Sequence, residues 1–89
     1  MSLNLFIKST LKVTSKSYAL KITTDYTVFQ IKKDIESIDK VSAEWIRLWH
    51  PRKAEFLDDD RANVKEAGIR ENDTLWAEFR YKLDEKPHY

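Results

Sequence analysis

Trp49 and Trp76, His50 and His88, and the run Asp58-Asp59-Asp60 are the side chains of this 89-residue chain with chemistry to offer. A nucleophilic triad needs nucleophile, base and orienter in mutual hydrogen-bond reach. The two histidines are far apart in the chain and His88 stands near its end, so no such set is suggested and no enzyme is expected. His50 reads as a strand-end residue. The three aspartates could meet a hard cation, but they lack the glycine and spaced ligands of an EF-hand loop. They read as a solvated acidic turn, and no metal is expected. A single glycine rules out a Gly-rich phosphate loop. The absence of cysteine excludes a disulfide scaffold and a thiolate zinc site. No cofactor is expected. What remains is aromatic. Alternation along two strand-like stretches turns Leu48 and Leu75 inward and therefore Trp49 and Trp76 outward.

The elements that must position them start with residues 27–38, TVFQIKKDIESI. Val28, Ile31, Ile35 and Ile38 fall at helical spacing and form one apolar stripe, with Lys32, Lys33, Asp34 and Glu36 largely away from it. Thr27 can cap the first free N–H groups and Gln30 can reach back to it. Tyr26 and Ile31 stand where a hydrophobic staple would pair them. The helix should fade near Asp39 and Lys40, without a glycine to end it. Before it, Leu3, Leu5 and Ile7 alternate with polar residues and Phe6, which predicts a strand with Phe6 outward. Tyr18, Leu20 and Ile22 predict a second strand, antiparallel to the first, after a polar stretch interrupted by Leu11 and Val13. After the helix, residues 41–44 form a turn. Trp45 stands at the core edge, and Ile46 and Leu48 mark a third strand that Pro51 stops near His50. Phe56-Leu57 is a very short strand. Ala62, Val64, Ala67 and Ile69 line a compact connection in which Gly68 takes a conformation other residues avoid. Asn72-Asp73 is a turn, and Leu75, Ala77 and Phe79 mark a final strand.

The order is strand, strand, helix, strand, short strand, strand: an α+β roll with one helix crossing a mixed sheet. At this length the chain is one domain, assigned to residues 1–83, with residues 84–89 as a tail. Sixteen basic and 15 acidic side chains leave a net charge of +1, which gives no long-range pull on nucleic acid or acidic membrane. Lys8, Lys12, Lys16 and Lys21 make the first hairpin basic, read as an ordinary solvated edge; binding to RNA that falls steeply with salt would argue otherwise. The N-terminal stretch lacks the apolar core and cleavage site of a signal peptide, and no apolar run spans a membrane. A soluble monomer of the cytoplasm or nucleus is expected.

This order and spacing resemble ubiquitin and its β-grasp relatives over nearly the whole chain. LFIK at residues 5–8 is similar to the family's first strand, DYTVFQIKKDIES at 25–37 to its helix, and IRLW at 46–49 to its third strand. VKEAGI at 64–69 and NDTLWAEFR at 72–80 resemble its last loop and strand. The resemblance implies a sheet of four to five strands, first and last side by side, and a partly buried Lys32. It implies that Trp49 and Trp76 lie on neighbouring strands and share the open face, at the places of ubiquitin's main recognition residue and the histidine beside it. Arg47 and Arg80 would rim them, and two large rings rimmed by arginine have the make-up of an interface hot spot. The alternative is that the rings lie flat on the sheet, against each other or against Tyr81 and Leu83.

The chain departs from the family where conjugation would occur, since YKLDEKPHY contains no Gly-Gly; Glu78 also replaces an apolar residue of the family's patch. IRLWHPRK followed by EFLDDD resembles the ubiquitin-like domains inside ubiquitin-specific proteases, and TVFQIKK is similar to elongin B. The expected function is a non-covalent protein-interaction module of the ubiquitin system, excised from a larger protein such as a deubiquitinating protease. Its partner would be that chain's catalytic domain or another protein of the system. The alternatives are a modifier whose Gly-Gly tail is missing here, or a scaffold subunit of a ubiquitin ligase.

Overall fold

The structure, a computed structural model, describes residues 2–11 and 16–79. Arg80, Tyr81, Leu83, His88, Val13, Lys12 and the proposed 83/84 boundary lie outside the described residues. Five strands, β1 (Ser2–Ser9), β2 (Lys16–Thr23), β3 (Ile46–His50), β4 (Glu55–Phe56) and β5 (Thr74–Phe79), form one sheet in the order β2-β1-β5-β3-β4. One helix, α1 (Val28–Asp39), crosses it. β1 runs parallel to β5, and the remaining neighbours are antiparallel. This is the expected α+β β-grasp roll, with first and last strands side by side.

The core lies between α1 and one face of the sheet. Leu5 and Ile7 of β1, Leu20 and Ile22 of β2, Ile46 and Leu48 of β3, and Leu75 and Ala77 of β5 are buried there against Val28, Ile31 and Ile35. Leu57, Val64, Ala67 and Ile69 close the end. The alternation read from the sequence therefore holds on every strand long enough to show it. Phe6 points outward, 43 % exposed.

The helix start carries the predicted capping box. The Gln30 N–H donates to Thr27 Oγ1 at 3.2 Å and the Thr27 N–H to Gln30 Oε1 at 2.8 Å. Tyr26 packs against the core and its hydroxyl donates to Asp34. The stripe itself differs from the expected one at both a lysine and an isoleucine. Ile38 is 41 % exposed, while Lys32 and Asp39 are buried. The face steps by four from Ile35 to Asp39, whose carboxylate accepts the Tyr18 hydroxyl at 2.7 Å, so Ile38 swings to the flank. Lys32 sits where the resemblance implies a buried lysine. Its ammonium donates to Asp60 Oδ1 at 2.7 Å, which meets the need of a desolvated charge for a partner.

One further expectation is corrected. Trp45 is not core edge: it is 47 % exposed. It closes a short 3₁₀ turn over Ala43–Trp45 whose inward residue is Ala43, and Ile46 takes the core position that follows. The run Asp58-Asp59-Asp60 is largely exposed, as expected of a solvated acidic stretch, and it also makes contacts. Asp58 pairs with Arg47, Asp59 accepts the Arg61 N–H and Asp60 holds Lys32. Gly68 has φ 74°, the left-handed backbone predicted for it.

Candidate interaction surface

β3 and β5 are neighbours, and their register sets Trp49 directly opposite Trp76. The same row continues outward on both sides. Lys8 of β1 pairs with Trp76, and Phe56 of β4 pairs with Trp49. Since Leu48, Leu75 and Ala77 all point to the helix side, this row lies on the face that α1 does not cover. Trp76 is 36 % exposed and Trp49 is half-buried.

The row is locked by aromatic and cationic contacts. Trp49 and Phe56 meet edge to face, with centroids 4.8 Å apart and planes at 66°. The Lys8 ammonium lies 4.8 Å from the Trp76 ring centroid, and the Arg47 guanidinium carbon 3.8 Å from that of Phe56. Each end of the aromatic row is therefore met by a cation, a contact worth about 0.5–1 kcal/mol at exposed sites. Arg47 is further fixed by Asp58, with Nε and Nη2 donating to its two oxygens at 3.1 and 2.8 Å. A bidentate fork of this kind holds the guanidinium plane over Phe56. Glu78 faces Arg47 across the β3–β5 pair.

Trp49, Trp76 and Arg47 thus come together as the sequence reading has them, while Arg80 lies outside the described residues. Lys8 and Phe56 are the members that reading misses. Their outward parity is visible in the sequence for Lys8, but only the register across three strand pairs brings them into this row.

His50, next to Trp49, points the opposite way and is fully buried. Its Nε2 donates to Asp73 Oδ2 at 3.0 Å, and Nδ1 is buried with no hydrogen-bond partner among the described residues. Asp73 also accepts from Arg52 Nε at 3.0 Å and from the Arg70 N–H at 2.9 Å. Burial pushes the Asp73 carboxyl up, but the donors from Arg52, the Arg70 backbone and His50 outweigh it and hold the group below the usual carboxylate value. His50 is the last residue of β3, as expected, and it also joins a cluster with Asp73 and Arg52 that ties the end of β3 to the start of β5. No nucleophile stands in that cluster. Among the described residues, no group of three or more His, Cys, Asp or Glu side chains is arranged to hold a metal ion.

No family model and no curated protein matches the chain. Solved structures do. The ubiquitin-like domain of an Arabidopsis thaliana protein superposes with a TM-score of 0.77 at 20% identity, over 89% of this chain and 78% of that one. The ubiquitin-like domain of Plasmodium falciparum Dsk2 gives 0.75 at 23% identity, over 86% and 96%. Caldiarchaeum subterraneum ubiquitin gives 0.74 at 15% identity, over 90% and 95%. These neighbours carry the ubiquitin-like fold and not the narrower likeness to ubiquitin-specific proteases or elongin B. Strand order, helix placement and neighbours agree: this chain has the ubiquitin-like β-grasp fold.

Proposed function

We propose that the chain is a non-covalent protein-interaction module of the ubiquitin system, with Trp49 and Trp76 as its anchors. The observation that carries this reading is their direct pairing on the sheet face that the helix leaves uncovered. Contiguous exposed aromatic surface serves contact more often than it serves folding. Lys8, Arg47 and Phe56 complete the patch, and Arg80 is proposed as a further rim charge. Arg47 acts here as a fixed wall, because Asp58 already neutralises it. The occupant fits a partner with an apolar centre and an acidic margin, such as a catalytic domain in the same parent chain or another ubiquitin-system protein. A deubiquitinating protease is the first candidate for the parent.

Binding should be followed through the indole N–H signals during titration with ubiquitin and with a candidate catalytic domain. The Trp49 and Trp76 signals are expected to shift together and saturate. Trp49→Ala should weaken binding by about 2 kcal/mol, roughly thirtyfold, with cooperative unfolding retained. Loss of cooperativity in that variant would instead assign the ring to structure.

A further inference from the structure

The turn after β3 and the loop before β5 meet around an open cavity of about 410 Å³ lined by Arg52, Lys53, Lys65, Gly68, Ile69 and Arg70. Every ionisable side chain in that lining is cationic. In a chain of net charge +1, this is a strong local departure. None of these residues belongs to the aromatic row.

The arrangement is built rather than incidental. Arg52 is held from two sides: it forks onto Asp73 and its Nη2 donates to the Gly68 carbonyl. Lys53 lies across the same glycine. A Cβ on Gly68 would sit 2.8 Å from the Lys53 ammonium nitrogen, closer than real Cβ contacts allow. The chain's single glycine supplies a left-handed backbone, and the flexible end of Lys53 lies over it at the cavity. Like charges gathered this closely repel one another, so the balance of neighbouring carboxylates matters. Asp73 compensates Arg52, and Glu55 lies 2.9 Å from Lys53. The other nearby acids are engaged elsewhere: Glu66 accepts the Asn63 N–H and Glu71 the Asn4 N–H. Among the described residues no carboxylate forms an ion pair with the Lys65 or Arg70 side chain, so both can turn to an incoming anion.

We infer that this cavity is a binding site for a phosphoryl group. A phosphate near neutral pH carries up to two negative charges and so matches Lys65 and Arg70 together, whereas one carboxylate would leave a cation over. Lysine serves as a point-charge phosphate ligand, and arginine adds a fork of donors. The group could arrive on a phosphorylated peptide or as free phosphate.

The test is an NMR titration of the whole isotope-labelled chain with three probes: an Ala-Gly peptide carrying one phosphoserine, the same peptide with glutamate in its place, and inorganic phosphate. The expected result is saturable shifts at Lys53, Lys65, Gly68 and Arg70 with both phosphoryl probes, and at least tenfold weaker binding of the glutamate peptide. Tighter binding of the phosphopeptide than of phosphate assigns the site to a modified chain; equal binding assigns it to the free anion. The double variant K65E/R70E, both at exposed positions, should lose at least tenfold in affinity while its spectrum stays dispersed. Shifts that rise linearly without saturation, or equal binding of the glutamate and phosphoserine peptides, would overturn the assignment.

Discussion

Asp73 shows how much one residue can hold in a small fold. Its carboxylate takes donors from Arg52, His50 and the Arg70 backbone, and its own carbonyl accepts the Phe6 N–H at 2.8 Å. It therefore joins β1, β3 and β5 at one corner. The consequence for acid stability has a definite sign. The folded-state pKa lies below the ordinary value of 3.8, so the carboxylate's contribution is fully present above that value and is lost as pH falls through the lower folded one. Asp73→Asn should consequently lower the urea midpoint near pH 7, and the gap from the parent protein should close under acid. Parallel midpoint curves from pH 7 into the acid limb would sink this account. The side-chain partners are not legible locally, because Asp73 stands 21 and 23 residues from Arg52 and His50. The turn at Asn72-Asp73 can be read from residue type; what its carboxylate holds cannot. Lys32 makes the same point differently. Its spacing, four residues after Val28 and three before Ile35, admits it to the buried face, but its charge argues for solvent, and it is the resemblance to a family with a lysine in that place that implies its burial.

At the scale of elements, sequence chemistry announces beginnings better than ends. The start of α1 is written in Thr27 and Gln30, and both reciprocal hydrogen bonds form. Its end is carried by Lys40, which adopts φ 59° and donates its N–H to the Glu36 carbonyl at 2.8 Å. A left-handed backbone on a residue with a Cβ costs roughly 1–2 kcal/mol, and glycine escapes most of it. Lys40→Gly is therefore expected to stabilise the fold by about 1 kcal/mol after the extra freedom it gives the unfolded chain. Chemical denaturation checks this, and an unchanged or lower midpoint would show that the lysine side chain holds the cap in some other way. The strands were legible for the opposite reason. Period-two burial repeats over β1, β2, β3 and β5, and each one-residue slip would bring a charged or aromatic side chain into the core. Trp45 escaped that logic because a 3₁₀ turn has no period of two.

On the scale of the molecule, the functional reading rests on register between distant strands. Alternation alone turns Trp49 and Trp76 outward. That they stand opposite each other, flanked by Phe56 and Lys8, follows from β5 lying between β1 and β3. The same placement decides how the domain bears load. β1 begins near the start of the chain, β5 ends near its finish, and the two run parallel with Phe6–Ser9 beside Thr74–Ala77. Tension applied through Ser2 and Phe79 drags these strands past each other and strains their hydrogen bonds together. Ser2 and Thr23, by contrast, are partners at the open end of the β1–β2 hairpin, and tension between them parts one pair at a time. Single-molecule pulling should find the first geometry several-fold stronger, and equal rupture forces would contradict it. A domain strung between other parts of a longer chain would in that case stay folded under pull, transmitting force along its length instead of absorbing it by coming undone.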